Sequence, residues 1–283
     1  MDGAIYIAIL PVVFLLYYIY KKDLEKEPRG ILIRLFIFGA LSTIPLCIIE
    51  LIYGRFFPLE NLPTFMGTFV TVFITVALVE EFGKWLVTYL CIYRKREFNH
   101  SYDGIVYSVF ASLGFAGVEN VFYVLSNGFS TGVMRALLAV PGHAVDAVFM
   151  GYFFSKSKEA LVNKNNSKSL WYLILSIMIP SLTHAIYDGL IFHYSSSENE
   201  MYVVIFFAFV IASYILSFII INKLSKVMVT FDGSPLQISV PQKKVNNNQA
   251  INNPINSVQT PKCVNCGAPL IGGSCTNCGF KQG

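Results

Sequence analysis

Seven stretches of the chain are almost wholly apolar, and polar residues gather between them. They run over about 4–20, 30–53, 65–93, 103–126, 132–155, 169–192 and 201–222. A bilayer core of about 30 Å takes roughly 20 apolar residues as helix, so each stretch predicts a transmembrane helix. The third is long enough to tilt or to project. The first lacks a basic segment before it and a small-residue cleavage site after it, so it is expected to be a retained span. After residue 226 the pattern stops. The stretch 227–261 is rich in Asn, Gln, Pro and Ser and too poor in apolar residues to offset the entropy of ordering, so it is expected to be a flexible linker. The expected organisation is a transmembrane domain over 1–226, the linker over 227–261 and a small metal-binding segment over 262–283. No internal repeat has a convincing period.

The connecting loops alternate in charge. Lys21, Lys22, Lys26 and Arg29 follow the first span; Arg94, Lys95 and Arg96 follow the third. Four lysines follow the fifth, and Lys223 and Lys226 the seventh. The other loops, "GRFFPLENLP", "SNGFSTG" and "HYSSSENE", carry one positive charge between them. Positive loops stay in the cytoplasm. The expected fold is thus an all-α polytopic membrane protein of about seven helices, N-terminus outside and C-terminus cytoplasmic, in the cell membrane.

Composition agrees: 54% of the 283 residues are hydrophobic and 13% charged, against roughly 25% charged in a soluble domain. The net charge of +4 is small, and no nucleic-acid partner is expected.

Against this apolar background, the ionisable residues inside the spans stand out, because charge in a bilayer is costly and usually marks function. "LVEEFGKWLVTYL" places Glu80, Glu81 and Lys84 in the third span. At three- and four-residue spacing Lys84 reaches either carboxylate, leaving the other free to act. Two neighbouring carboxylates that cannot both ionise cheaply suit a general base that later acts as an acid. The fourth span carries Glu119 and Asn120 in "SLGFAGVENVFY". The fifth places His143 and Asp146 on one face in "AVPGHAVDAVFMG", and the sixth His184 and Asp188 in "IPSLTHAIYDGL". One buried histidine or one Glu–Lys pair is ordinary helix packing. Four successive spans bearing carboxylates, imidazoles and a lysine read together as a site.

In order and placement these segments are similar to the PrsW family of intramembrane proteases, distant relatives of the CAAX prenyl endopeptidases and bacteriocin-processing membrane proteases. The resemblance covers about 15–195. It rests on "YKKDLEKEP", on "EEFGK" as E-E-x-x-K, on "GFAGVEN" as F-x-x-x-E-N, on "PGHAVDAVFMG", and on "THAIYDG" as H-x-x-x-D. Many relatives in the wider superfamily have Asn at the position of Asp188. The resemblance implies an endopeptidase acting on membrane-anchored proteins, such as an anti-sigma factor. In that reading Glu80 activates a water, Glu81 pairs with Lys84, and Glu119 orients the water or holds a proton. His184 and Asp188 stabilise the oxyanion, and His143 with Asp146 binds water or supports the others. Glu80, Glu119, His143 and His184 also offer donors for zinc. No H-E-x-x-H helix is present, so metal-free hydrolysis is the favoured expectation, with zinc the alternative.

The C-terminus reads "CVNCGAPLIGGSCTNCG". Cys263, Cys266, Cys275 and Cys278 form two C-x-x-C pairs, a set that suits structural zinc. In a cytoplasmic tail disulfides are disfavoured. The expectation is a zinc ribbon that docks a cytoplasmic partner or regulates the enzyme. Cys47 and Cys91, alone in apolar spans, read as packing residues. Two other functions fit intramembrane charge: an ion- or proton-coupled transporter or channel, and a non-catalytic sensor signalling through the ribbon. The motif order favours the protease.

Overall fold

The computed structural model describes residues 2–58, 62–226, 230–231, 270–271 and 274–275. The chain divides into two units, Met1–Ile238 and Ser239–Gly283. In the second, Leu270–Ile271 (β1) and Ser274–Cys275 (β2) pair antiparallel. Cys263, Cys266 and Cys278 lie outside the described residues, as does most of the linker.

The first unit is helical. It runs α1 (Asp2–Lys22), α2 (Arg29–Phe56), α3 (Phe65–Val72), α4 (Leu78–Thr88), α5 (Asp103–Asn127), α6 (Phe129–Leu137), α7 (Ala139–Val162), α8 (Asn166–Ser197) and α9 (Met201–Lys226). Six continuous stretches, α2, α3–α4, α5, α6–α7, α8 and α9, are long and apolar enough to cross a membrane. At 21 residues, α1 spans about 31 Å. The protein is therefore a multi-pass membrane protein, as the apolar runs predict.

Four details depart from the expected straight spans. Between α3 and α4 the chain makes a π-turn over Phe73–Ala77, and a second follows α4 over Tyr89–Tyr93. Such a turn rotates everything beyond it against the residues before it, so the face presented by Glu80 and Glu81 is not the one a straight helix gives. The expected span 132–155 begins earlier, at Phe129. It also breaks at Leu138, where the backbone leaves the helical region (φ −120°, ψ −58°) and divides α6 from α7.

The centre of the unit is α5, most of whose side chains are buried. Its small residues allow close approach. A Cβ on Gly114 would strike the backbone carbonyl of Phe36 on α2, and one on Gly39 that of Ala111. Gly104 and Gly151 bring α5 against α7 in the same way. Large apolar side chains on α2 and α9, among them Ile33, Leu41, Ile48, Ile211 and Phe218, face outward, as a lipid-facing surface requires.

The ends that carry the basic loops meet. Lys22 Nζ donates to Asn222 Oδ1 at 2.9 Å, Lys158 Nζ to the Tyr93 carbonyl at 2.8 Å, and Phe231 N–H to the Asn99 carbonyl at 3.0 Å. A polar cluster closes this end. Tyr107 donates to the buried Glu27, and Asp103 accepts from the Asn99 and His100 backbone.

Candidate active site

The ionisable side chains of α4, α5, α7 and α8 converge. Lys84 is wholly buried. Its ammonium donates to Glu80 Oε2 at 2.9 Å, to Glu81 Oε1 at 2.8 Å and to His143 Nδ1 at 3.0 Å. It also lies 4.3 Å from the centroid of the Phe115 ring, a favourable cation–π placement. The sequence pattern left open which carboxylate Lys84 would take; it holds both. From Lys84 a chain of polar contacts leads outward: His143 Nε2 lies 2.9 Å from Glu119 Oε2. Since Nδ1 accepts from an ammonium, Nε2 carries the proton and donates to Glu119.

His184 joins the cluster from α8. Its Nδ1 is 3.1 Å from Glu81 Oε1 and its Nε2 is 3.2 Å from Asp188 Oδ2. Both ring nitrogens thus face carboxylates. Asp146 accepts from the Thr183 hydroxyl at 2.5 Å rather than from its helix neighbour His143. All eight expected side chains are therefore in one region.

The two adjacent glutamates are not equivalent. Glu81 is fully buried, and its Oε2 has no hydrogen-bond partner. Glu80 borders a cavity of about 550 Å³, which Glu119, His143, Asp146, His184 and Asp188 also line. Its other walls are largely apolar side chains of α6, α7, α8 and α9, among them Met134, Val145, Phe206 and Val210. Pockets of this size, apolar with a few convergent polar groups, are the usual form of a ligand site.

Two residues of this site escape the sequence reading. Arg135 on α6 places Nη2 2.8 Å from Glu119 Oε2, an ion pair without hydrogen-bond alignment, and its Nε donates to Asn120 Oδ1 at 3.1 Å. It is stacked on Tyr123 at 3.8 Å. Glu50 on α2 lines the cavity too. Both are charges within apolar runs, so the rule that finds Glu80 also finds them. Each sits within a turn of the expected span end, where charge is commonplace.

Buried carboxylates, imidazoles and a lysine gathered beside a cavity in a helical bundle are compatible with intramembrane peptide hydrolysis, and comparison with known proteins supports that class. A model of the family described as "PrsW family intramembrane metalloprotease" matches residues 27–213. The Protease PrsW of Geobacillus kaustophilus is 40% identical over 192 residues, which are 68% of this chain and 80% of the relative. The Bacillus subtilis protein of that name is 34% identical over 189 residues, 66% and 82% of the two chains. That of Clostridioides difficile is 32% identical over 187 residues, 64% and 76%. No solved structure matches the chain. The chain belongs to the PrsW family of intramembrane proteases.

The family's description raises the question of a metal. Glu80, Glu81, His143 and His184 each offer a donor atom, all within 4.8 Å of one another and all buried. Glu81 Oε2 is an orphaned acceptor among them. The far nitrogens of the two imidazoles rest on Glu119 and Asp188, the arrangement that orients metal-binding histidines. Two imidazoles and two carboxylates suit zinc. The donor set therefore fits a divalent cation, with Lys84 reaching three of its four members.

Proposed function

We propose that this endopeptidase hydrolyses peptide bonds of membrane-anchored proteins with a water activated by Glu80. The observation that carries the assignment is the asymmetry of the glutamate pair: Glu80 faces the cavity, while Glu81 is enclosed with Lys84 and His184. The water oxygen attacks the scissile carbonyl carbon while Glu80 takes its proton. The C–N bond then breaks, and that proton passes to the leaving nitrogen. Lys84 keeps the paired carboxylates tolerable in an apolar interior. Glu119 fixes the ring of His143, and Asp188 that of His184. To donate to the developing oxyanion, His184 must release one of its two carboxylate partners; the Arg135 guanidinium, which lines the same cavity, is a second donor.

Glu80, Glu81, His143 and His184 are the residues that would hold a zinc ion. Bound there, zinc supplies Lewis-acid polarisation of a carbonyl or of a water. This donor set fits the zinc alternative that the sequence suggests second, but with Glu81 in place of Glu119, which instead bonds the far nitrogen of His143.

The basic loops gathered at one end support a cytoplasmic side for that end by the positive-inside rule, and with it a cytoplasmic C-terminal tail. Cys263, Cys266, Cys275 and Cys278 bind a structural zinc there, which docks a cytoplasmic partner or regulates cleavage. Metal analysis of the full chain checks this: Cys263→Ser with Cys278→Ser loses a bound zinc that the wild type retains. The substrate is a single-span regulator such as an anti-sigma factor. Co-expression with a panel of tagged single-span proteins tests the enzymatic reading. Cleavage of at least one is expected with the wild type and not with Glu80→Gln; equal cleavage with both would overturn it.

A further inference from the structure

Glu50 lies six residues before the end of α2, inside the apolar run "LCIIELIYG". It lines the same cavity as Glu80, Glu119 and His143. It has no part in the hydrolytic steps above. Its Oε1 is buried and has no hydrogen-bond partner. Among the described residues, it is the one buried, unpartnered side-chain acceptor that belongs to a cavity-lining residue.

A transmembrane substrate has a complementary shortage. Its helix must open locally before a water can reach a carbonyl carbon, and each backbone N–H released into apolar surroundings costs several kcal/mol. The cavity walls beside Glu50 are mostly apolar and offer such an N–H little. We propose that Glu50 is a substrate-contacting residue, whose carboxyl oxygen accepts a backbone N–H from the unwound stretch of a transmembrane substrate beside the scissile bond. A carboxyl group accepts in either protonation state, so the role does not require the charge. The inference rests on the protease reading.

The test uses the full chain in detergent and, as probe, a synthetic single-span peptide. Its sequence is taken from a protein whose cleavage separates wild type from Glu80→Gln. Glu50→Met removes the acceptor at similar length and relieves a buried unpaired carboxyl, so the fold is expected to hold. Glu50→Gln keeps a carbonyl acceptor. The expected result is a rise in KM on the order of 10-fold for Glu50→Met, from leaving a substrate N–H unsatisfied in an apolar site. Its kcat stays near that of the wild type, and Glu50→Gln stays near the wild type in both. N-methylation of one peptide nitrogen near the scissile bond should raise KM in the wild type and add little in Glu50→Met. Equal falls in kcat for Gln and Met would mean a proton carrier and overturn the proposal, as would an unchanged KM in Glu50→Met. If Glu80→Gln cuts this peptide as fast as the wild type, the protease reading itself fails, whatever Glu50 does.

Discussion

Lys84 is the most exacting point of the site, because one ammonium holds three buried partners. Lys84→Met keeps the length of the side chain and deletes the charge. Two carboxylates, Glu80 and Glu81, then lose their cation, and His143 Nδ1 loses its donor. Removing one partner of a buried ion pair costs about 3–5 kcal/mol, because the remaining charge stays buried without compensation. At roughly 2–4 °C per kcal/mol for a chain of this size, the melting temperature in detergent should fall by about 6–20 °C. Trp85 reports the transition: it stacks on Tyr89 with centroids 4.8 Å apart and donates to Ser176 Oγ at 2.8 Å, so unfolding changes its fluorescence. Adding Glu81→Gln should recover part of the loss, since one uncompensated charge is gone and the two changes share a contact. Because the same donors suit a divalent cation, zinc should stabilise Lys84→Met more than the wild type. A Lys84→Met protein within about 1 kcal/mol of wild type, or strict additivity with Glu81→Gln, would refute the reasoning.

Three further outcomes follow from the geometry. Arg135→Met removes the cation beside Glu119 and should lower kcat at least ~10-fold while the protein still folds; an unchanged kcat on the reporter peptide removes Arg135 from the site. Gly114→Val pushes a side chain into the Phe36 backbone and should destabilise by about 1–3 kcal/mol or more, read as a lower melting temperature; a neutral effect would mean that α2 and α5 are not packed this closely. Stability should also depend on pH through the loop after α1. Burial raises the Glu27 carboxyl to about 7 and the Asp23 carboxyl to about 6. The folded chain then holds protons that the unfolded chain has already lost between about pH 4 and 7. Stability should accordingly fall as pH rises through that window and level off above it. Glu27→Gln should flatten the slope, and an equal slope in that variant would contradict the assignment.

The helices were legible because lipid demands long apolar runs. The stretch 65–93 matches α3 through the second π-turn end to end, and 201–222 lies within α9. The π-turn at Phe73–Ala77 was not legible, since nothing in "FITVA" distinguishes it from ordinary helix. The break at Leu138 left only an indirect trace, the Pro141–Gly142 pair just beyond it. The members of the site were legible one span at a time, through their cost in a membrane. Their partners were not. That His143 accepts a hydrogen bond from Lys84 and donates one to Glu119, while Asp146 turns to Thr183, depends on contacts between helices that no spacing within one helix encodes. Glu50 and Arg135 show the complementary failure: near a span end, a charge that lines the cavity looks like a charge in a loop.

The central claim is that Glu80 performs peptide hydrolysis in the membrane. The most direct measurement maps the N-termini of membrane proteins by mass spectrometry, in cells with the wild-type chain and with Glu80→Gln at matched levels, with and without envelope stress. The expected result is one or more new N-termini at or near a transmembrane segment that are present with the wild type and absent with Glu80→Gln. Identical sets of N-termini under every condition would contradict the claim.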